Sequence, residues 1–396
     1  MQSSTLKDVT QNKPKLLSRY TSTRQRTASI CRPLSKEDYV VQPVEDVSPP
    51  KWHLGHTTWF FEQFVLIEHV ADYQPFDEQY SFVFNSYYEN AGKRVVRAHR
   101  GNLSRPTVEK VYEYRKHVDE AMEVFLSVDQ PQAIWDLIEI GCNHEEQHQE
   151  LLITDIKYIL GNNPLLPKYG PFDQSTAIDT DMRFIPVDAG IYSIGYAGEG
   201  FHFDNEKAVH KVYLQAYEIA DRLVTNGEYM EFMEAGGYQD FNLWHSEGWE
   251  FVKQLNIKAP LYWYNIDGTW HQYTLAGLQP VQRNEILKHV SYYEAFAFAQ
   301  WKGMRLPTEF EWEAAQAQFE WGQRWEWTES AYLPYPNYSK VPGALGEYNG
   351  KFMVNQKVLR GASVATSPNH SRPTYRNFFH PPLRWQFTGI RLAQWT

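Results

Sequence analysis

The sequence predicts a multi-domain protein. An all-α, up-and-down helical bundle occupies residues 1–165, a linker 166–182, and an α+β domain with much irregular structure 183–396. Three observations carry this. A chain of 396 residues suits two domains at roughly 100–200 residues each. Its first 160 residues read as long helices joined by modest loops. The Gly- and Pro-rich stretch GNNPLLPKYGPFD at 161–173 then separates them from a region of short strands, short helices and loops.

In chain order, Ser35 to Asp38 resembles a capping box, although the Val- and Pro-rich segment behind it cannot continue far as a helix. Pro49-Pro50 precede WHLGHTTWFFEQFVLIEHV, whose length and apolar content predict a mostly buried helix. Ser104 or Thr107 caps VEKVYEYRKHVDEAMEVFL, where Val111, Tyr114, Val118, Met122 and Phe125 recur at helical spacing. A further helix is expected from about Ala133 to Leu160. Beyond the linker, RFIPVDAGIYSIGY and HKVYLQAYEIA alternate as strands do, while TNGEYMEFMEAGG and SYYEAFAFAQWKG predict short helices ending at glycines.

Composition narrows the function classes. With 42% hydrophobic and 22% charged residues the chain is globular rather than disordered or fibrous. Lys+Arg 38 against Asp+Glu 48 gives a net charge of −10, which argues against nucleic acid as a partner. The two cysteines, Cys31 and Cys142, lack metal-type spacing and point to a reducing compartment. The N-terminus shows no apolar signal-peptide core and no stretch approaches a membrane span, so a soluble, cytoplasmic protein is expected. Aromatic residues reach 16%, which suits aromatic-walled clefts as well as large cores.

The chemistry-bearing residues are histidines. His144 and His148 stand at i and i+4 on a predicted helix, so both imidazoles share one face and can bind a single ion. The string His144-Glu145-Glu146-Gln147-His148 also satisfies the zinc-protease pattern H-E-x-x-H, with Glu145 as its general base. The extended form of that pattern fails, since Leu151 stands where glycine is required. His53 and His56 are both candidates for a third ligand, and three neutral nitrogens suit Zn(II) or Fe(II) alike.

PPKWHLGHTTWFFEQF followed by HEEQHQELL resembles the DinB-like four-helix bundle of the ergothioneine-biosynthesis sulfoxide synthases, the EgtB family. VTNGEYMEFMEAGGY, FAFAQWKGMRLPTEFEWEAA, VLRGAS and RWQFTGIRLA resemble the formylglycine-generating-enzyme-like (C-type-lectin-like) fold that completes the substrate pocket in that family. The resemblance implies a non-haem Fe(II) enzyme with O2 as co-substrate. It joins a cysteine-type thiol, cysteine or γ-glutamylcysteine, to the imidazole C2 of hercynine and leaves a sulfoxide. Motif by motif it implies His56, His144 and His148 as metal ligands, with His53 one turn before a ligand. It further implies Gln147 and Asn377 on the acceptor imidazole, Phe378 and Phe379 lining the pocket, Arg94 and Arg97 on the thiol substrate's carboxylate, and Tyr87 or Tyr88 in proton transfer. The cysteine pair of formylglycine-generating enzymes is missing from the C-terminal half, so that chemistry is excluded. Alternative readings are a selenoneine synthase or a 5-histidylcysteine sulfoxide synthase of the same superfamily, a zinc hydrolase using H-E-x-x-H, and a non-catalytic binding module.

Overall fold

A computed structural model describes residues 5–86, 88, 92–170, 177–340 and 349–396, with side chains from residue 16 onward. The chain divides into two compact units, Met1–Leu165 and Leu166–Thr396.

All regular elements described in unit 1 are helical: α1 (Thr5–Cys31), α2 (Pro50–Phe61), α3 (Tyr80–Phe84), α4 (Val108–Leu126) and α5 (Gln132–Gly161). α2 packs on α4 and α5, and α1 packs on α5. Proline at the first turn of α2 costs nothing, because that N–H has no intrahelical acceptor. Every residue of α2 is buried, Lys51 and both histidines included. The expected single helix through residue 70 is interrupted: a π turn at Glu62–Leu66 joins α2 to one further turn, Ile67–His69. There the buried Glu62 carboxylate accepts from the Tyr114 hydroxyl at 2.6 Å, the Tyr73 hydroxyl at 3.0 Å and the Phe76 N–H at 3.0 Å. Of the two candidate caps for α4 the structure uses Thr107, whose Oγ1 accepts from the Lys110 N–H at 3.2 Å.

Two glycines set how closely these helices approach. A Cβ on Gly55 would lie 2.1 Å from the Phe84 ring, and one on Gly141 would lie 2.5 Å from the Phe61 ring and 2.9 Å from that of Phe60. The first lets α3 sit on α2 beside His56, and the second lets α5 sit on α2 less than one turn before His144.

α1 escapes an apolar-stripe reading because half of the residues it is seen to bury are polar: Thr23, Arg24 and Thr27. Arg24 donates to Glu145 at 2.9 Å, to Asp119 at 2.7 Å and to the Thr58 hydroxyl at 2.9 Å. Arg115 of α4 reaches the other oxygen of Glu145 at 2.7 Å. A buried ion network thus ties α1, α2, α4 and α5 together.

Among its described residues, unit 2 mixes short helices with four small sheets. Strands β1 (Phe184–Val187), β4 (Tyr217–Ala220) and β12 (Ala393–Trp395) form one, and β2 (Gly190–Ile194) pairs β3 (His210–Leu214). The β5 (Trp263–Ile266), β6 (Thr269–Thr274) and β7 (Gly277–Pro280) strands form a meander. The fourth sheet runs β10 (Asn377–Phe379), β9 (Lys357–Gly361), β8 (Trp325–Ala331) and β11 (Thr388–Gly389). Three of the described helices, Asn226–Glu234, Tyr292–Trp301 and Glu309–Ala315, begin at capping boxes: Thr225 with Glu228, Ser291 with Glu294, and Thr308 with Glu311. Around them packs an aromatic core that includes Phe232, Phe298, Trp325 and Trp327. No helix among the described residues is long and apolar enough to cross a membrane.

Candidate metal centre

α2 carries His53 and His56, and α5 carries His144 and His148. One nitrogen from each of His56, His144 and His148 lies within 4.8 Å of the others, and all three side chains are buried. The i,i+4 spacing on α5 brings the rings of His144 and His148 edge to face with centroids 4.6 Å apart.

Local bonding decides which nitrogens face the cluster. His56 Nδ1 lies 2.6 Å from the Phe84 carbonyl oxygen. A carbonyl only accepts, so the His56 proton sits on Nδ1 and its Nε2 is a lone pair. That Nε2 lies 3.2 Å from His144 Nε2. Two nitrogens bound about 2.1 Å from one ion and roughly 90–110° apart are about 3.0–3.4 Å from each other, so the spacing suits a shared metal. His148 turns its Nδ1 to His53 Nδ1 at 2.9 Å, while His53 Nε2 lies 3.0 Å from Asp155 Oδ2.

Burial keeps these imidazoles neutral. It drives His56 well below the ordinary histidine range, helped by the neighbouring His144, and it does the same to His148, helped by His144 and His56. His144 is lowered to about 4, again chiefly by burial, against an opposing pull from Glu145. Three buried neutral nitrogens are the donor set a divalent ion such as Fe(II) or Zn(II) takes, so these residues fit a metal.

Aromatic rings enclose the cluster. Trp52 and Trp59 both stack on His56, with centroids at 4.5 and 5.6 Å, and Phe60 lies against His144 at 4.9 Å. Arg100 places its guanidinium carbon 3.4 Å from the Trp52 ring centre and donates to the Ser48 and Ser86 hydroxyls at 2.9 and 3.0 Å.

Glu145 points elsewhere. Its carboxylate, fully buried, takes Arg24, Arg115 and the Thr27 hydroxyl. Despite the cost of burial, the two guanidinium groups hold its carboxyl at about 2. A carboxylate locked in this way has no free oxygen to activate a water, so the zinc-hydrolase role for Glu145 is set aside.

The other sequence candidates fall as follows. Gln147 is half-buried on α5, one residue before His148. Tyr88 is buried with its ring 5.5 Å from Trp59 and 5.2 Å from Phe64, while Tyr87 lies outside the described residues. Arg94 is exposed; Arg97 donates to the Asp46 carbonyl at 2.6 Å. In unit 2, Asn377 opens β10 and its Oδ1 accepts from the Phe378 N–H at 2.9 Å. Phe378 stacks on Tyr332 at 4.1 Å, and Phe379 packs on the core. Sequence reasoning did not single out Trp52 or Asp155, and it grouped Arg100 with Arg94 and Arg97 as arginines at intervals of three that can form a carboxylate site. Asp155 lies seven residues after His148 on the same helix, which is the one local signal available for it.

Comparison with known proteins agrees with this architecture. Residues 19–152 match the DinB superfamily, and residues 172–324 match the sulfatase-modifying factor enzyme 1-like domain. The chain is 30% identical over 300 residues to the hercynine oxygenase of Mycobacterium tuberculosis, covering 63% of this chain and 69% of that protein. To the hercynine oxygenase of Mycolicibacterium thermoresistibile it is 29% identical over 308 residues, covering 63% and 67%. To ergothioneine biosynthesis protein 1 of Schizosaccharomyces pombe it is 25% identical over 240 residues, covering 49% of this chain and 28% of that one.

Proposed function

The chain belongs to the hercynine oxygenase family of ergothioneine-biosynthesis enzymes, and from that premise we propose that it is an Fe(II)- and O2-dependent sulfoxide synthase joining a cysteine-type thiol to the imidazole C2 of hercynine. The observation that carries the reading is the buried, neutral cluster of His56, His144 and His148 in a chain of this family. Ferrous iron held by these three nitrogens supplies the redox chemistry that a reaction with O2 requires. The protein's own contribution is to bind, aim and protonate.

Gln147 offers an amide to the acceptor imidazole from the helix that carries two of the ligands. The family resemblance adds Asn377 to that role and gives Phe378 and Phe379 to the pocket wall, where aromatic faces attract a trimethylammonium group. Arg94 and Arg97 are assigned to the thiol's carboxylate, which a guanidinium fork matches with a permanent charge. Tyr88 or Tyr87 moves the proton at the reacting oxygen, since a phenol both donates and accepts. Cysteine and γ-glutamylcysteine are both candidate thiols. The names of the similar proteins favour hercynine as acceptor over histidine, and the ergothioneine name favours a sulfur donor over a selenium one.

The test is anaerobic loading with Fe(II), then O2 with hercynine plus either thiol, read by mass spectrometry. A sulfoxide carrying both carbon skeletons supports the proposal. Thiol oxidation alone, with hercynine recovered unchanged, overturns it.

A further inference from the structure

We infer that Asp155 and His53 form a two-residue relay that fixes the tautomer of His148 and aims its Nε2 at the metal. The inference rests on the metal-centre reading above and deepens it by giving His53 and Asp155 positioning roles.

The argument follows the protons. Asp155 Oδ2 accepts the Ser48 backbone N–H at 2.9 Å and lies 3.0 Å from His53 Nε2. A carboxylate only accepts, so His53 carries a proton on Nε2, and in the relay its Nδ1 is the lone pair. That lone pair lies 2.9 Å from His148 Nδ1, which must therefore carry the His148 proton. The nitrogen left bare is Nε2, which the relay makes the donor that His148 offers to the cluster with His56 and His144. His53, Asp155 and His148 are 2%, 3% and 7% exposed, so no water competes for these positions.

Here both His53 nitrogens are engaged, and their polarities agree along a single direction from carboxylate to ligand. His56 has its proton placed by a neutral backbone carbonyl. His148 has it placed by a chain ending in a negative charge, which makes its Nε2 the more basic donor.

Two variants and two measurements test this. His53→Phe keeps a ring against Trp52 and His148 but removes both nitrogens. Asp155→Asn keeps an oxygen for the Ser48 N–H and removes the charge. The first measurement is the histidine tautomer in metal-free protein, by long-range 15N–1H NMR. The second is affinity for Fe(II) or Co(II) alone, by competition with a chelator, on variants whose unfolding remains cooperative. In wild-type protein His148 is expected as the Nδ1–H tautomer. His53→Phe should abolish that preference and weaken metal binding by roughly 10–100-fold, and Asp155→Asn should weaken it by less. Finding His148 as the Nε2–H tautomer in the wild type overturns the relay, as does wild-type metal affinity in folded His53→Phe. If His53→Phe fails to fold, undiminished affinity in Asp155→Asn overturns it instead. If wild-type protein takes up neither ion, the metal reading falls, and the tautomer measurement still decides the relay.

Discussion

Arg100 holds its guanidinium carbon 3.4 Å from the ring centre of Trp52, and that same indole stacks on His56 at 4.5 Å. A permanent positive charge thus sits one ring away from the imidazole cluster. It adds to burial and to the other histidines in keeping His56 and His148 unprotonated. Arg100→Ala loses this desolvated cation–π contact and two hydroxyl partners, for an expected cost of about 2–4 kcal/mol. Urea unfolding should show a lower midpoint at unchanged slope, with Arg100→Lys in between. Equal midpoints for all three proteins would mean that the stack contributes nothing to stability.

Replacing His56, His144 or His148 singly by Ala should remove most bound iron and turnover while the chain stays folded. Metal analysis after anaerobic loading, paired with circular dichroism, checks both halves of the statement. Full iron occupancy in His56→Ala would show that the third ligand is another residue, with His53 the first to examine.

Glu145 gives a pH dependence with a defined sign. Its folded-state carboxyl is held at about 2 by Arg115 and Arg24, below the ordinary value of 4.5. Its contribution to stability is therefore fully present above pH 4.5 and is lost as the pH falls from there toward 2. Glu145→Gln leaves Arg24 and Arg115 buried beside a neutral amide and should destabilise by about 3–5 kcal/mol at pH 7. The variant should also lose much of the difference in stability between pH 6 and pH 3, as acid titrations followed by fluorescence will reveal. A Glu145→Gln protein of wild-type stability that has lost only its activity would instead point back to a hydrolytic base.

Arg94→Ala and Arg97→Ala should raise KM for the thiol more than for hercynine. Steady-state kinetics with each substrate varied in turn separates the two effects. A rise confined to the hercynine KM would move both arginines to the other substrate. Tyr87→Phe or Tyr88→Phe should lower kcat or divert product toward a sulfinate with metal binding intact. If both tyrosine variants keep the parental rate and product ratio, the proton comes from another group, Tyr375 among the candidates.

Losing one buried hydrogen bond to the acceptor should cost about 1–3 kcal/mol in hercynine affinity for Gln147→Ala and for Asn377→Ala. Calorimetric titration with hercynine measures each. An unchanged dissociation constant in Asn377→Ala removes Asn377 from the acceptor's contacts.

Much of unit 1 was legible because apolar residues at helical spacing mark α2, α4 and α5, and because two histidines four apart must share a face. α1 was not resolved as an element, since its anchors are Arg19 and Arg24 bonded to Glu146 and Glu145 rather than an apolar stripe. His53 stands 95 residues from His148 and 102 from Asp155, so no local pattern announces their contact. Arg94, Arg97 and Arg100 repeat at intervals of three, a spacing that says nothing of depth. The structure buries only the last of them. The π turn at Glu62 was equally invisible, because it depends on Tyr73, Phe76 and Tyr114 converging on one carboxylate.

The bare α-carbon of Gly141 works as a gauge on the metal site. A methyl group there would meet Phe61 at 2.5 Å and Phe60 at 2.9 Å, and Phe60 is the ring that abuts His144. Neither ring can swing aside, since both are wholly enclosed. Adding one carbon at position 141 would therefore pry apart the two helices that present the ligands and stretch the bite between His56 and His144. A wider bite favours ions of larger radius and looser coordination. Under the proposed metal reading, Gly141 would thus help set which ion fits, although it is not itself a ligand.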